Sequence, residues 1–272
     1  MKIGNHIFHL GSRTHIVAVL NVTPDSFSDG GQFNSVEKAM AQAKKLVAEG
    51  ADIIEIGGES TRPGHQPVSL QEELDRVIPV VNALLKTMDT PLCVDTQKPA
   101  VADAVLALGV PMLNDISCLA DPQLAHVAAN YQAVFVLMHN RPDPNDRTYT
   151  PLVPSVIKDL QAGIDRLIAA GLPKEKIIID PGIGFAKSQD EYLEILRHLS
   201  AFKALPYPLF IGASRKRFME HALGLPLDQR KEATMAVTAH AANQFVDFIR
   251  VHDVLENKRV ATMIDHLVRY QH

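Results

Sequence analysis

The stretch ADIIEIGGESTRPG, residues 51–64, contains the unit from which this chain is built. An apolar run at residues 52–56 stops at two glycines, and a polar loop follows it. Beyond the loop, apolar side chains recur at helical spacing from Leu74 to Leu85, a pattern that predicts an amphipathic helix with one buried face. The stretch therefore predicts a buried strand, a long polar loop and then a helix.

The same unit recurs along the 272 residues of the chain. Short apolar or β-branched runs lie at residues 15–20, 52–56, 92–94, 111–113, 133–138, 177–179, 209–211 and 248–251. Almost continuous apolar strands that alternate with helices are typical of parallel sheets buried on both faces. Eight repeats in a chain of this length favour one α/β domain over residues 1–272, a closed (β/α)8 TIM barrel, with an open doubly wound sheet as the alternative. Residues 1–12 precede the first strand and are predicted to form a short antiparallel β cap over the bottom of the barrel.

Composition and charge narrow the range of partners. The chain has 27 Lys and Arg against 31 Asp and Glu, a formal net charge of −4, which does not favour nucleic-acid binding. The longest apolar runs, 16–20 and 133–138, are far shorter than the ~20 residues that a membrane helix needs, and residues 1–10 lack the apolar stretch of a secretory signal. We therefore expect a cytoplasmic protein without a membrane partner. Cys93 and Cys118 form no Cys-x-x-Cys pair, so neither a disulfide nor a zinc framework is predicted.

Polar groups follow the predicted strands, at the rim where the catalytic residues of such barrels lie. These groups are Asn21, the segment 57–62, Asp95, Asn114 with Asp115, His139 with Asn140, Asp180, Ser214 to Lys216, and Arg250 with His252. Each has a purely structural explanation, since Asp95 and Asn114 could cap helices and Asp180 could begin a turn. Together they predict an active site, because caps and turns do not require such a concentration of ionisable groups.

The last strand carries the clearest local signal. Arg250 and His252 are two residues apart and point to the same side of a strand, whereas Val251 points to the other side. A guanidinium beside an imidazole suits an anion such as phosphate. A metal-binding pair formed by His252 and Asp253 is a weaker alternative.

Seven motifs, in unbroken order, carry a family resemblance. They are NVTPDSFSDGG (21–31), GGESTRPG (57–64), VDT (94–96), NDI (114–116), DPGIGF (180–185), SRK (214–216) and RVHDV (250–254). This set closely resembles the dihydropteroate synthases, transferases of bacterial folate synthesis and targets of sulfonamides. The resemblance implies a (β/α)8 barrel, usually a homodimer, that condenses 6-hydroxymethyl-7,8-dihydropterin pyrophosphate with p-aminobenzoate to give 7,8-dihydropteroate and pyrophosphate.

The resemblance also implies a role for each motif residue. Asp95, Asn114 and Asp180 would line the pterin pocket, where oxygen acceptors match the amino and ring N–H donors of a pterin. Lys216 would contact the pterin from the other side, near its carbonyl oxygen. Phe185 and Pro63, with the backbone near Lys216, would shape the slot for p-aminobenzoate.

Pyrophosphate binding is implied for the remaining motif residues. The residues implied are Thr61, Arg62, Arg250 and His252, with Asn21 and a magnesium ion. A neutral amide oxygen is an acceptable ligand for Mg²⁺, a hard cation that keeps most of its waters and takes further ligands from phosphates. Lys216, Arg250 and His252 are the expected catalytic residues, and breaking of the C–O bond is expected to run ahead of attack by the arylamine.

Four features depart from the family pattern or have no counterpart in it. Arg217 occupies a position that is serine in many members, and Cys118 a position that is often glycine, where it would add bulk near the pocket. Ala233, in RKEAT (230–234), replaces a common glycine at a predicted helix start. The loop at residues 140–150 matches no assigned function.

Two other functions are weighed against the synthase. A methyltransferase of the methyltetrahydrofolate–corrinoid type shares the barrel and part of the pterin pocket, but it does not need Thr61, Arg62, Lys216 or the pair Arg250 and His252. A non-catalytic paralogue would bind pterins or phosphates without turnover, and the complete polar set disfavours it.

Overall fold

A computed structural model describes residues 1–22, 31–59, 68–141, 143, 146 and 148–269, with residues 31–35 described by their backbone alone. The strands are β1 (Lys2–Ile3), β2 (His6–Ile7), β3 (His15–Asn21), β4 (Ile53–Gly57), β5 (Leu92–Asp95), β6 (Met112–Asp115), β7 (Val134–Met138), β8 (Ile177–Asp180), β9 (Phe210–Ile211) and β10 (Phe248–Val251). Strands β3 to β10 form one parallel sheet in the order β8-β7-β6-β5-β4-β3-β10-β9. A parallel bridge between Ile179 and Leu209 joins its two edges. The closed (β/α)8 barrel is confirmed, and the open sheet is excluded.

Helices follow the barrel strands and cover the outside of the sheet. They are α1 (Gly31–Ala48), α2 (Leu70–Thr87), α3 (Pro99–Ala107), α4 (Gln123–Tyr131), α5 (Leu152–Ala169), α6 (Gln189–Arg197), α7 (Phe218–Leu223), α8 (Lys231–Asn243) and α9 (Val254–Val268). Among the described residues, none of these helices combines the length and apolarity needed to cross a membrane.

Alternation along each strand separates two apolar layers. Inward-facing residues such as Ile53 and Met112 form one cluster inside the barrel, whereas their neighbours Ile54 and Leu113 pack outward in the cluster that includes the helices. Because successive side chains point to opposite faces, the residue two positions beyond an inward apolar residue also faces inward. This rule brings the polar strand ends into one layer above the inner core.

The bottom of the barrel is closed by the predicted cap. β1 and β2 pair antiparallel, and Ile3 and Phe8 are buried in the inner cluster. The ring of Phe8 lies 5.9 Å from that of Phe248. The cap therefore seals the end opposite the predicted site.

Candidate active site

Four side chains form a polar layer directly above the inner apolar core. Glu55, Asp95, Asn114 and Arg250 each lie two residues beyond an inward apolar residue of β4, β5, β6 and β10. Nη1 of Arg250 donates to Oε1 of Glu55 at 2.6 Å and to Oδ2 of Asp95 at 3.3 Å. The amide of Asn114 donates to Oε2 of Glu55 at 3.2 Å. One guanidinium, two carboxylates and one amide thus form a single buried network.

The charges of this network are unequal. Burial and the nearby Glu55 raise the pKa of Asp95 to about 8, although Arg250 opposes the shift. Burial disfavours charge on Arg250 as well, but the two carboxylates outweigh it and raise the pKa of the guanidinium further. Burial therefore favours the protonated form of Asp95, whereas Arg250 keeps its charge.

The amide oxygen of Asn114 and the carboxyl group of Asp180 are two further acceptors at this end of the barrel. Oδ1 of Asn114 is buried and has no hydrogen-bond partner among the described residues. Unsatisfied buried acceptors are uncommon and require an explanation. Asp180, at the end of β8, accepts from the backbone N–H of Gly182 at 2.7 Å through Oδ1, and burial raises the pKa of its carboxyl. The layer thus presents oxygen acceptors to a donor-rich ligand.

Lys216 lies across the mouth of the barrel, against the turn after β8. Its amino group donates to the carbonyl of Ile183 and lies 4.3 Å from the centre of the Phe185 ring. Burial and the charge on Arg250 lower the pKa of Lys216 to about 7. Gly184 makes room for this side chain, since a Cβ there would lie 2.6 Å from Cδ of Lys216.

The residues after β9 and β10 pair with each other. Nδ1 of His252 lies 3.0 Å from Oγ of Ser214. Arg215 forms two hydrogen bonds with Asp253, at 2.9 and 2.6 Å. His252 and Asp253 therefore face different partners, which disfavours a metal-binding pair. Within the described ranges, no group of three or more His, Cys, Asp or Glu residues is arranged to hold a metal ion.

The other predicted residues lie around this centre or outside the described residues. Asn21 ends β3, and its Oδ1 lies 3.4 Å from where a Cβ on Gly57 would be. Thr61, Arg62 and Pro63 lie outside the described residues, so their roles stay predictions.

The structure places three of the departures from the family pattern. Cys118 packs against the outer apolar layer. Arg217 is exposed, and Ala233 lies in the first turn of α8.

Glu55 is the main residue that sequence reasoning missed. It is only 2% exposed and lies within an apolar strand, where a buried charge is costly unless it is paired. A single acidic residue in the run ADIIEIGG was the available signal. Its partner is 195 residues away in sequence, so the pairing itself was not visible.

Comparisons with known proteins agree with this geometry. Residues 17–252 match the family of pterin binding enzymes. A dihydropteroate synthase of Clostridium beijerinckii is 44% identical over 99% of this chain and 100% of its own length, and one of Bacillus subtilis is 44% identical over 93% and 88%.

Solved structures support the same relationship. A Clostridium difficile dihydropteroate synthase, determined in the presence of pteroic acid, is 43% identical and superposes with a TM-score of 0.94 over 97% of this chain and 100% of its own. A Yersinia pestis dihydropteroate synthase in a sulfonamide drug complex is 39% identical, with a TM-score of 0.89 over 98% of both chains. This chain therefore belongs to the dihydropteroate synthase family of pterin-binding enzymes.

Proposed function

We propose that the barrel catalyses the family's condensation of 6-hydroxymethyl-7,8-dihydropterin pyrophosphate with p-aminobenzoate, and that its polar layer binds the pterin. The observation that carries this proposal is the unpartnered, buried Oδ1 of Asn114 between the acceptors Asp95 and Asp180. A pterin offers an amino group and ring N–H groups, which are the donors that such acceptors bind. Lys216 supplies donors for the carbonyl side of the same ring.

Glu55 orients this pocket. Its carboxylate holds the N–H₂ end of Asn114, so the oxygen end of the amide faces the ligand. The same carboxylate holds Nη1 of Arg250. A fixed amide orientation and a fixed guanidinium are the kind of support that a precise binding site requires.

Arg250 and His252 bind the leaving pyrophosphate in this proposal. Among the described residues, Glu55 and Asp95 engage only Nη1 of Arg250. Nε and Nη2 lie beside Gly212, where a Cβ would be 3.0 and 3.1 Å away. These donors are available to an anion, and Thr61 and Arg62 complete the anion site by family resemblance.

A magnesium ion fits the donor set near the end of β3. Asn21 offers one neutral oxygen at the end of this strand. This arrangement suits Mg²⁺, which commonly binds through one or two protein oxygens, several waters and substrate phosphates. When bound, the ion neutralises charge on pyrophosphate.

The reaction is a substitution at the methylene carbon of the pterin. The C–O bond breaks with its electron pair passing to pyrophosphate, whose growing negative charge Arg250 and His252 stabilise. The electron-rich dihydropterin stabilises the positive methylene, and the amine of p-aminobenzoate then forms the new C–N bond and loses a proton.

In this proposal the aromatic acid lies beside the Phe185 ring, and family resemblance adds Pro63 to the same slot. Sulfonamides are expected to compete for this slot, since the Yersinia pestis relative forms a sulfonamide complex. Family resemblance also supports a cytoplasmic location and a homodimer. Sedimentation at several protein concentrations tests the homodimer.

One assay tests the proposal. We expect magnesium-dependent release of pyrophosphate only when both substrates are present, and loss of this activity by orders of magnitude in Lys216→Ala with the thermal midpoint retained. Binding of both substrates without release would favour a non-catalytic paralogue. Methyl transfer from methyltetrahydrofolate without pyrophosphate release would favour the corrinoid-dependent class.

A further inference from the structure

A buried lysine lies next to the proposed aminobenzoate slot and is not explained by the reaction. Lys187 is 2% exposed and immediately precedes Ser188, the N-cap of α6. Among the described residues its amino group forms no ion pair, and burial lowers its pKa to about 7. Burying such a group is costly unless it is hydrogen-bonded, and three contacts satisfy this amino group.

One contact is with a neutral histidine. Nζ of Lys187 lies 2.8 Å from Nδ1 of His139, and Nε2 of His139 lies 3.1 Å from Oδ2 of Asp159. Burial lowers the pKa of His139 to about 4, so the ring is neutral and has one donor and one acceptor. Asp159 can only accept, so Nε2 donates to it and Nδ1 accepts from Lys187. Arg141 holds the same carboxylate at 3.0 Å.

The other two contacts clamp the turn after β8. Nζ of Lys187 donates to the carbonyls of Gly182 and Phe185, at 3.2 and 3.1 Å. These residues begin and end the turn, and between them Ile183 offers its carbonyl to Lys216. Gly182 has φ +74°, and a Cβ there would lie 1.9 Å from the carbonyl oxygen of His139. The turn therefore packs directly against the backbone of His139.

A second brace comes from the 140–150 loop, whose role the sequence left unassigned. The Tyr149 hydroxyl donates to the carbonyl of Ala186 at 2.8 Å. The guanidinium of Arg141 lies 4.0 Å from the centre of the Tyr149 ring. Tyr149 of the loop after β7 therefore supports the turn after β8 directly, and Asp159 of α5 supports it through His139.

We propose that Lys187 is a positioning residue, whose amino group keeps the turn after β8 in the shape that the aminobenzoate slot requires. This inference depends on the proposed role of Phe185 in that slot. Lys187 does not touch either substrate; it acts on the backbone that carries Phe185 and Ile183. The 140–150 loop reinforces the same turn from outside.

The test compares Lys187→Met, which keeps the length of the side chain but removes its donors, with the exposed control Lys174→Met. We expect Lys187→Met to raise KM for p-aminobenzoate about 10- to 100-fold, on the scale of a lost charge-assisted hydrogen bond, and KM for the pterin pyrophosphate less than threefold. Lys174→Met is expected to match the parent. An equal rise in both KM values, or no rise, overturns the proposal.

Two further variants keep the result decisive. If Lys187→Met does not fold, Tyr149→Phe removes a single hydroxyl and is expected to raise KM for p-aminobenzoate two- to fivefold without changing KM for the pterin; an unchanged KM for p-aminobenzoate contradicts the proposal. Phe185→Ala tests the slot itself. If Phe185→Ala leaves KM for p-aminobenzoate unchanged, the placement of that substrate is wrong. If only Lys187→Met and Tyr149→Phe leave it unchanged, the positioning role alone fails.

Discussion

Replacing Gly184 with alanine separates the effect of backbone strain from the effect on Lys216. Gly184 has φ +94°, and a Cβ there would lie 2.6 Å from Cδ and 2.7 Å from Nζ of Lys216. Gly171, at the end of α5, has nearly the same φ of +97°, but a Cβ there would have no neighbour within 4 Å among the described residues. Gly171→Ala therefore experiences the same strain and leaves the active site untouched.

The structure sets the magnitude of each effect. A non-glycine residue in left-handed conformation costs about 1–2 kcal/mol, so both variants should lose at least this much stability. Only Gly184→Ala displaces Lys216 from the carbonyl of Ile183 and the ring of Phe185. A hydrogen bond from a charged group contributes about 1.5–3 kcal/mol and a cation–π contact about 0.5–1 kcal/mol. At about 1.4 kcal/mol per factor of ten, kcat/KM should fall roughly 30- to 1,000-fold.

The measurement is pyrophosphate release under saturating magnesium, together with the thermal midpoint of each variant. We expect a lower midpoint for Gly184→Ala than for Gly171→Ala, because only the former also loses the contacts of Lys216, and parent-like kcat/KM for Gly171→Ala alone. If kcat/KM of Gly184→Ala stays within threefold of that of Gly171→Ala, activity does not depend on the position of Lys216 against this turn.

Two further perturbations test the polar layer. Because its pKa is raised to about 8, Asp95 keeps its proton in the folded protein between pH 4 and 8, and the protein loses stability as pH rises through this window. Asp95→Asn should therefore raise the thermal midpoint of the protein without substrates at pH 8 but not near pH 4, and it should weaken pterin binding. A difference in midpoint that does not depend on pH would contradict the raised pKa. Arg250→Met leaves the buried Glu55 without its cation and should destabilise the fold by about 3–5 kcal/mol, measured by urea denaturation. Adding Glu55→Gln should restore part of this loss, and a double variant no more stable than Arg250→Met would show that the carboxylates are not the cause.

The barrel was predictable because its strands have a simple local signature. A parallel strand buried on both faces is an unbroken apolar run, and the run at 248–251 coincides with β10. Several strands extend one residue further than predicted, so that Asp95 and Asp180 are the last residues of β5 and β8. The apolar criterion excluded these polar ends, although they belong to the rigid sheet.

The pairings inside the site were not predictable in the same way. Strand ends indicated that Asp95, Asn114 and Arg250 face one rim, but not that Glu55 joins them. Lys187 follows a glycine-rich loop and would be taken for a surface residue, yet its partner His139 is 48 residues away. Such contacts depend on closure of the barrel, which no local pattern encodes.

Some residues of the proposed site lie on strands and others on loops, and this difference explains where the supporting contacts lie. Asp95, Asn114 and Asp180 belong to strands, whose hydrogen bonds to neighbouring strands already fix them, so the proposed pterin pocket needs only Glu55 to orient its amide. Phe185 and Lys216 belong to loops, whose backbone is not held by hydrogen bonds between strands. Groups on loops are less precisely placed than groups on strands unless surrounding contacts support them. In the proposed reaction p-aminobenzoate must be aligned with the methylene carbon of a pterin that the rigid barrel holds. The buried Lys187 therefore supports the site at the turn after β8, where the backbone most needs additional contacts.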